Sequence, residues 1–159
     1  MAIVTGLEGL ATTTERLRGY QLGLRRSGLQ FVPELAAAGD SMAEPARRAV
    51  AGLLGLASPP TALVVGNNYM TIGAMRALRE AQLAIPDEVA LVAFDDFEWA
   101  DLFTPGLTTM AQPCREMGAS AVRLLLSRLA DPRRAPRTIR LAAQFMYRES
   151  CGCSSGSGR

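Results

Sequence analysis

The 159-residue sequence contains no histidine and no lysine; all 17 of its basic residues are arginine. The missing histidine excludes Ser-His-Asp triads, His-ligated metal centres and imidazole acid–base catalysis. The missing lysine excludes Schiff-base chemistry, a P-loop and the phosphate-sensing lysine of a phosphoaspartate receiver. Three cysteines, Cys114, Cys151 and Cys153, are too few for a disulfide scaffold. The "CGC" they form near the end could bind metal or oxidise, but "SSGSGR" follows and is linker-like, so 152–159 reads as a flexible tail. No apolar run approaches the ~18 residues of a membrane helix. The opening "MAIVTGLEGL" lacks the basic and apolar regions of a secretory signal, so a cytoplasmic protein with no membrane partner is expected. A net charge of +2 is too small to imply direct nucleic-acid binding.

What is present is a globular composition, 48% hydrophobic and 20% charged, in a chain long enough for one real core. Short apolar runs alternate with helical patterns. Residues 3–4 read as the tail of a strand. A helix over 14–26 carries the stripe Leu17, Tyr20, Leu24, with Thr14 as its cap and Gly28 placed to end it. A short strand is expected at 35–38, then a helix over 42–56 with Pro45 in its first turn. "TALVVG" and "VALVAF" are buried strands separated by a helix over 69–81, with Asn68 read as its cap. "LTTM" is a further strand, and Pro113 opens a fourth helix to about residue 129. "TIRLAA" and "QFMYRE" read as two closing strands. This alternation predicts an α/β fold, a mainly parallel sheet flanked by helices. In such sheets ligands bind beyond the carboxyl ends of the strands.

Two of those ends carry polar pairs: "VVG" runs into Asn67-Asn68 and "VAF" into Asp95-Asp96. A receiver or a haloacid-dehalogenase-type phosphatase would need a lysine that does not exist here, and the phosphatase needs its acids one residue apart. A Mg²⁺ site would require more converging carboxylates than Glu98 and Asp101 offer, so no metal and no cofactor is expected. Two readings stay open. In one, an acid caps the next turn while its neighbour is solvated. In the other, Asp95, Asn67 and an arginine of the first helix grip the hydroxyls of a polyol, carboxylate accepting and guanidinium donating.

The stretches "TTTERLRGYQLGLRRSGL", "PTALVVGNNYMTIGAMRALREAQLAIPDEVALVAFDDFEWADLFTPGLTTMAQP" and the closing "RES" resemble the effector-binding domain of the LacI/GalR family of bacterial transcription regulators. The resemblance covers about residues 1–151 and implies one lobe of a periplasmic-binding-protein-like sensor, with a sugar-like effector in the cleft between two lobes. It places effector contacts on Arg18, Asn67, Asp95 and Gln112, and further contacts on Asp40 and Ser41. It also implies a homodimer built partly on the loop bearing Trp99, Leu102 and Phe103. The implied activity is non-enzymatic sensing. The alternatives are a stand-alone sugar-binding protein of a transport system, or a small α/β enzyme using Asp95 and Asp96.

Neither the family's helix-turn-helix nor its first lobe is visible in the sequence, so DNA would be reached only through a domain outside this chain. The resemblance carries the fourth helix back to that first lobe. Met117, Ala121, Val122, Leu124, Leu125 and Leu129 form its apolar face, opposite Glu116, Ser120, Arg123 and Ser127. That face is expected to fold back on its own lobe, pair with another chain, or stay exposed.

Overall fold

A computed structural model of the chain describes residues 1–153. Its elements run β1 (Ala2–Thr5), α1 (Ala11–Arg26), β2 (Ala36–Ala38), α2 (Ala43–Leu54), β3 (Ala62–Val65), α3 (Asn68–Glu80), β4 (Ala90–Phe94), β5 (Thr108–Ala111), α4 (Cys114–Ala130) and β6 (Gln144–Met146), followed by a 3-10 turn at Glu149–Cys151. The strands form one sheet in the order β2-β1-β3-β4-β5-β6. β1 to β5 are parallel, and β6 runs antiparallel to β5 with Ala111 opposite Gln144. The parallel α/β expectation therefore holds, as do the four helices and the parallel strands. The order reverses at β1, which has β2 on one side and β3 on the other; strand ends diverge there and leave a crevice.

Strand alternation divides the core into two layers. Ala2 and Val4 of β1, Leu63 and Val65 of β3 and Leu91 of β4 face α2 and α3, where they meet Val50, Leu53, Met70, Ala74 and Leu78. Ile3 points the other way, into a smaller cluster with Tyr20 and Leu24 of α1. In β3 and β4 the residues that alternate with the buried ones are only half-buried. Continuous apolar runs predicted cover on both faces, but α1 is a thinner cover than the α2–α3 pair.

Three local expectations are corrected. α1 begins at Ala11, so Thr14 is not its cap; the Thr14 hydroxyl donates back to the Leu10 carbonyl at 3.3 Å from within the first turn. Residues 138–143 of "TIRLAA" form no strand, because β propensity alone does not hold a segment that lacks a pairing edge. Only Gln144–Met146 closes the sheet. The predicted tail over 152–159 falls mostly outside the described residues.

The apolar stripe of α4 stays exposed. Ser120 is its one buried residue, whereas Met117, Val122, Leu125, Leu126 and Leu129 are exposed, the last to 67%. The covered line of the helix is Ser120 with the half-buried Leu124 and Ser127, and the exposed Arg123 donates to the Ser120 hydroxyl at 2.7 Å. Burial of such large side chains is worth ~1.5–3 kcal/mol each, so this stripe stores association energy. No helix among the described residues is long and apolar enough to cross a membrane.

Candidate functional site

Five loops leave the carboxyl edge of the parallel strands side by side, and the polar residues cluster there. After β2 the chain makes a tight turn through Gly39, Asp40 and Ser41, closed by Met42 N–H on the Gly39 carbonyl at 2.9 Å. Asp40 and Ser41 sit at φ +50° and +60°, a region non-glycine residues visit at a cost. Gly39 is needed because a Cβ there would lie 2.7 Å from both Met70 Sδ and Val4 Cγ1. The turn aims Ser41 across the crevice. Its hydroxyl accepts the Leu7 N–H from the β1 loop at 3.1 Å, and its carbonyl accepts Asn67 Nδ2 at 3.3 Å. Asp40 stays exposed on the rim.

Asn67 follows β3 and has two tasks. Its Oδ1 accepts the Met70 N–H at 2.7 Å, so Asn67 is the N-cap of α3 and Asn68 is not. The cap must reach the backbone three residues on, which fits the first asparagine of the pair. Asn68 instead turns its Oδ1 to the Tyr69 N–H at 2.9 Å. With Oδ1 on the helix and one amide hydrogen on Ser41, Asn67 keeps one N–H to offer a ligand.

The arginine that the fold brings to this edge is Arg16; Arg18, on which the expected contact was placed, is not brought there. Arg16 donates through Nη1 to the Gly66 carbonyl, and its guanidinium lies 3.8 Å above the Phe94 ring. Burial holds its pKa below the ordinary arginine value, an effect that the nearby Asp95 carboxylate opposes. Arg18 is exposed on the outer face of α1. Helix phase carries the signal that decides between them. Tyr20 and Leu24 are the buried residues of α1, and Arg16 stands four residues before Tyr20 on that same face.

The two adjacent acids have opposite roles. Asp95 lies at φ +72°, donates its N–H to the Met110 carbonyl at 3.0 Å, and accepts a short hydrogen bond from Gln112 Nε2. This places Asp95 and Gln112 together beside Arg16. Asp96 turns away from the cleft into a two-point ion pair with Arg148, Nη1 to Oδ1 at 2.8 Å and Nη2 to Oδ2 at 3.1 Å. The Thr109 hydroxyl adds a 2.7 Å bond to Oδ1. Arg148 also donates to the Leu107 carbonyl at 2.6 Å, and the buried Ser150 hydroxyl bridges the Leu91 carbonyl and the Thr108 N–H at 2.7 and 2.8 Å. The closing "RES" is therefore a strap that ties β4 to β5 and clamps Asp96 behind Asp95. Sequence reasoning noticed the motif but not this role, because its side-chain partners lie 39 or more positions away in the chain.

The Arg148 hydrogen bonds hold the Asp96 carboxyl below its ordinary range, outweighing the upward push of burial. A depressed folded-state value means that Asp96 contributes stability above the ordinary carboxylate range, and that this is lost as pH falls through the depressed value. Asp96→Asn is expected to cost about 3 kcal/mol at pH 7, since it leaves a largely buried guanidinium without its counter-charge. Urea unfolding checks this. The gap between variant and parent should close in strong acid; a gap independent of pH would remove the ion pair as its cause.

At the far side of the β4–β5 connection, Trp99 is 45% and Leu102 79% exposed, while Phe103 is half-buried. Phe97, Trp99 and Phe103 stack with ring centroids 4.4 to 6.4 Å apart. With Ile72, Met75 and Arg76 of α3, Trp99 and Phe103 wall a hollow of about 730 Å³ that Asp95 does not line. No group of three metal-ligating side chains occurs among the described residues.

The family model for the periplasmic binding protein-like domain matches residues 1–151. The probable HTH-type transcriptional repressor ExuR of Bacillus subtilis is 31% identical over 150 residues, which are 94% of this chain and 45% of the relative. The solved complex of the transcriptional regulator CelR with cellobiose superimposes with a TM-score of 0.88 at 30% identity, covering 94% of this chain and 46% of that one. The lac repressor dimer bound to operator and the anti-inducer ONPF superimposes at 0.82 with 28% identity, over 94% and 51%. The chain thus spans about half the length of the regulators it matches.

Proposed function

Because the chain belongs to the periplasmic binding protein-like domain family, as the effector-binding domain of a LacI/GalR-type regulator, we propose that residues 1–151 are the second lobe of a sensor that couples a small hydroxyl-rich effector to operator binding. The convergence of Arg16, Asn67, Asp95 and Gln112 at one strand edge carries this reading. Arg16 and Asp95 compensate each other's charge, so the edge suits a neutral polyol, held by donors from Arg16 and Asn67 and by acceptors on Asp95. A sugar is the effector class of choice, in line with the cellobiose named in one structural relative. The protein works without turnover, in the cytoplasm. Operator DNA is gripped by a separate domain, and a homodimer forms across Trp99, Leu102 and Phe103. The exposed stripe of α4 is the seat of the complementary lobe.

The test uses the full regulator that carries this chain, screened by thermal shift against mono- and disaccharides. At least one sugar should raise the melting temperature, and Asp95→Ala should erase the rise while leaving the unliganded transition in place. An equal rise in Asp95→Ala, or no response to any polyol, would sink the reading. In the same regulator Leu102→Glu should lower the molar mass seen by light scattering. The 159-residue chain alone should give no salt-resistant, sequence-selective gel shift.

A further inference from the structure

The "CGC" motif lies apart from the effector edge, on the strap that clamps Asp96. We propose that Cys151 and Cys153 form a peroxide-responsive dithiol: hydrogen peroxide oxidises Cys151, and Cys153 resolves the product into an intramolecular disulfide.

Geometry brings the two thiols together. Cys151 ends the 3-10 turn Glu149–Cys151, and Gly152 then enters the left-handed region at φ +69°. Glycine takes that conformation at least cost, and a Cβ there would press on Pro86 at 3.2 Å. The reversal folds the chain so that Cys153 Sγ lies 3.7 Å from the Cys151 carbonyl and Cys151 Sγ lies 3.5 Å from the Arg148 carbonyl. Both cysteines therefore lie in one tight turn, two residues apart, at the end of the segment that begins with Tyr147. Cys151 is half-buried and Cys153 exposed, so a small oxidant reaches both. Burial pushes the Cys151 thiol up, but the Thr108 side chain, the Cys153 backbone and thiol, and Tyr147 together outweigh it and hold the thiol below its ordinary value. The thiolate is the attacking species, and a half-exposed thiolate beside a second thiol is the arrangement that oxidises reversibly.

The chemistry balances with one peroxide. The Cys151 thiolate attacks one peroxide oxygen, the O–O bond breaks, and hydroxide leaves and is protonated to water. Cys151 is then a sulfenic acid, oxidised by two electrons. The Cys153 sulfur attacks the Cys151 sulfur, the S–O bond breaks, and the hydroxyl departs as water with the Cys153 proton. Two thiols have become one disulfide and one peroxide two waters. The new bond sits between the strap residues Arg148 and Ser150 and the end of the described chain. It therefore fixes the turn that aims Arg148 at Asp96.

The experiment uses the 159-residue chain with Cys114→Ser, so that only the pair remains. Stoichiometric hydrogen peroxide should remove two hydrogens from the intact mass, abolish both iodoacetamide-reactive thiols, and be reversed by dithiothreitol. Adding Cys153→Ser should leave a sulfenic acid that dimedone traps on Cys151. In Cys151→Ser, trapping on Cys153 should be about tenfold slower. Tyr147→Phe should slow the first step without preventing it. Accumulation of sulfinic acid on Cys151, a disulfide only between two chains, or equal trapping on either cysteine alone would overturn the proposal.

Discussion

Arg16→Ala should lower the affinity of the regulator for the effector proposed above by tenfold to a hundredfold, whereas Arg18→Ala should leave it unchanged. The guanidinium of Arg16 is already held in place, with one arm on the Gly66 carbonyl and its flat face over Phe94. A ligand therefore meets a donor that has lost its side-chain freedom beforehand. A hydrogen bond to a charged group is worth ~1.5–3 kcal/mol, and each 1.4 kcal/mol is about a factor of ten in affinity. Arg18 lies in solvent and forfeits nothing when truncated. Isothermal titration with the sugar found by thermal shift separates the two. Loss on Arg18→Ala with retention on Arg16→Ala would return the site to the other face of α1.

Gly73→Ala should destabilise the chain by about 3 kcal/mol, at the upper end of ordinary overpacking. A Cβ on Gly73 would stand 2.0 Å from the Ala43 carbonyl oxygen and 2.9 Å from the Arg47 nitrogen. Both are backbone atoms of α2, so no rotamer change relieves the clash. The two helices must separate, and they cover the larger core layer. Gly52→Ala is the counterpart. Gly52 lies within α2 with nothing within 4 Å of the added carbon, so the change should stabilise by ~1 kcal/mol through helix propensity alone. Urea midpoints for the pair should move in opposite directions. If both fall, the α2–α3 contact is not what sets the cost at Gly73.

The parts of this molecule that were legible in its sequence are those whose causes are local. Apolar runs of four or five residues bounded by turn residues located the parallel strands, and their polar ends located the edge where the candidate site lies. Asp95 and Asn67 followed from standing directly after those strands, whereas Gln112 came only from the family resemblance. Arg16 was missed because "RLR" offers two arginines, and two positions apart on a helix means nearly opposite faces. The choice required the phase set by Tyr20 and Leu24. The role of Asp96 was illegible for a different reason: its partner Arg148 lies 52 positions away, and only the closed sheet brings them together. The failed strand at 138–143 and the open choice among three fates for the α4 stripe share a third cause. Each has a pattern that asks for a neighbour, and a pattern does not say which surface provides one.

The pairing of β5 with β6 has a mechanical consequence. Residues 113–143 leave the lobe immediately after Gln112 and return at Gln144, which pairs with Ala111. The outgoing and incoming strands are thus a two-stranded hinge at the sheet's edge, and α4 is the arm it carries. Gln112, the donor to Asp95, is the last residue on the fixed side of that hinge. A ligand that took the Gln112 hydrogen bond from Asp95, as the proposed reading requires, would act directly on the residue from which that arm springs. The contact proposed to sense the effector and the point from which α4 reaches toward the complementary lobe are one residue apart.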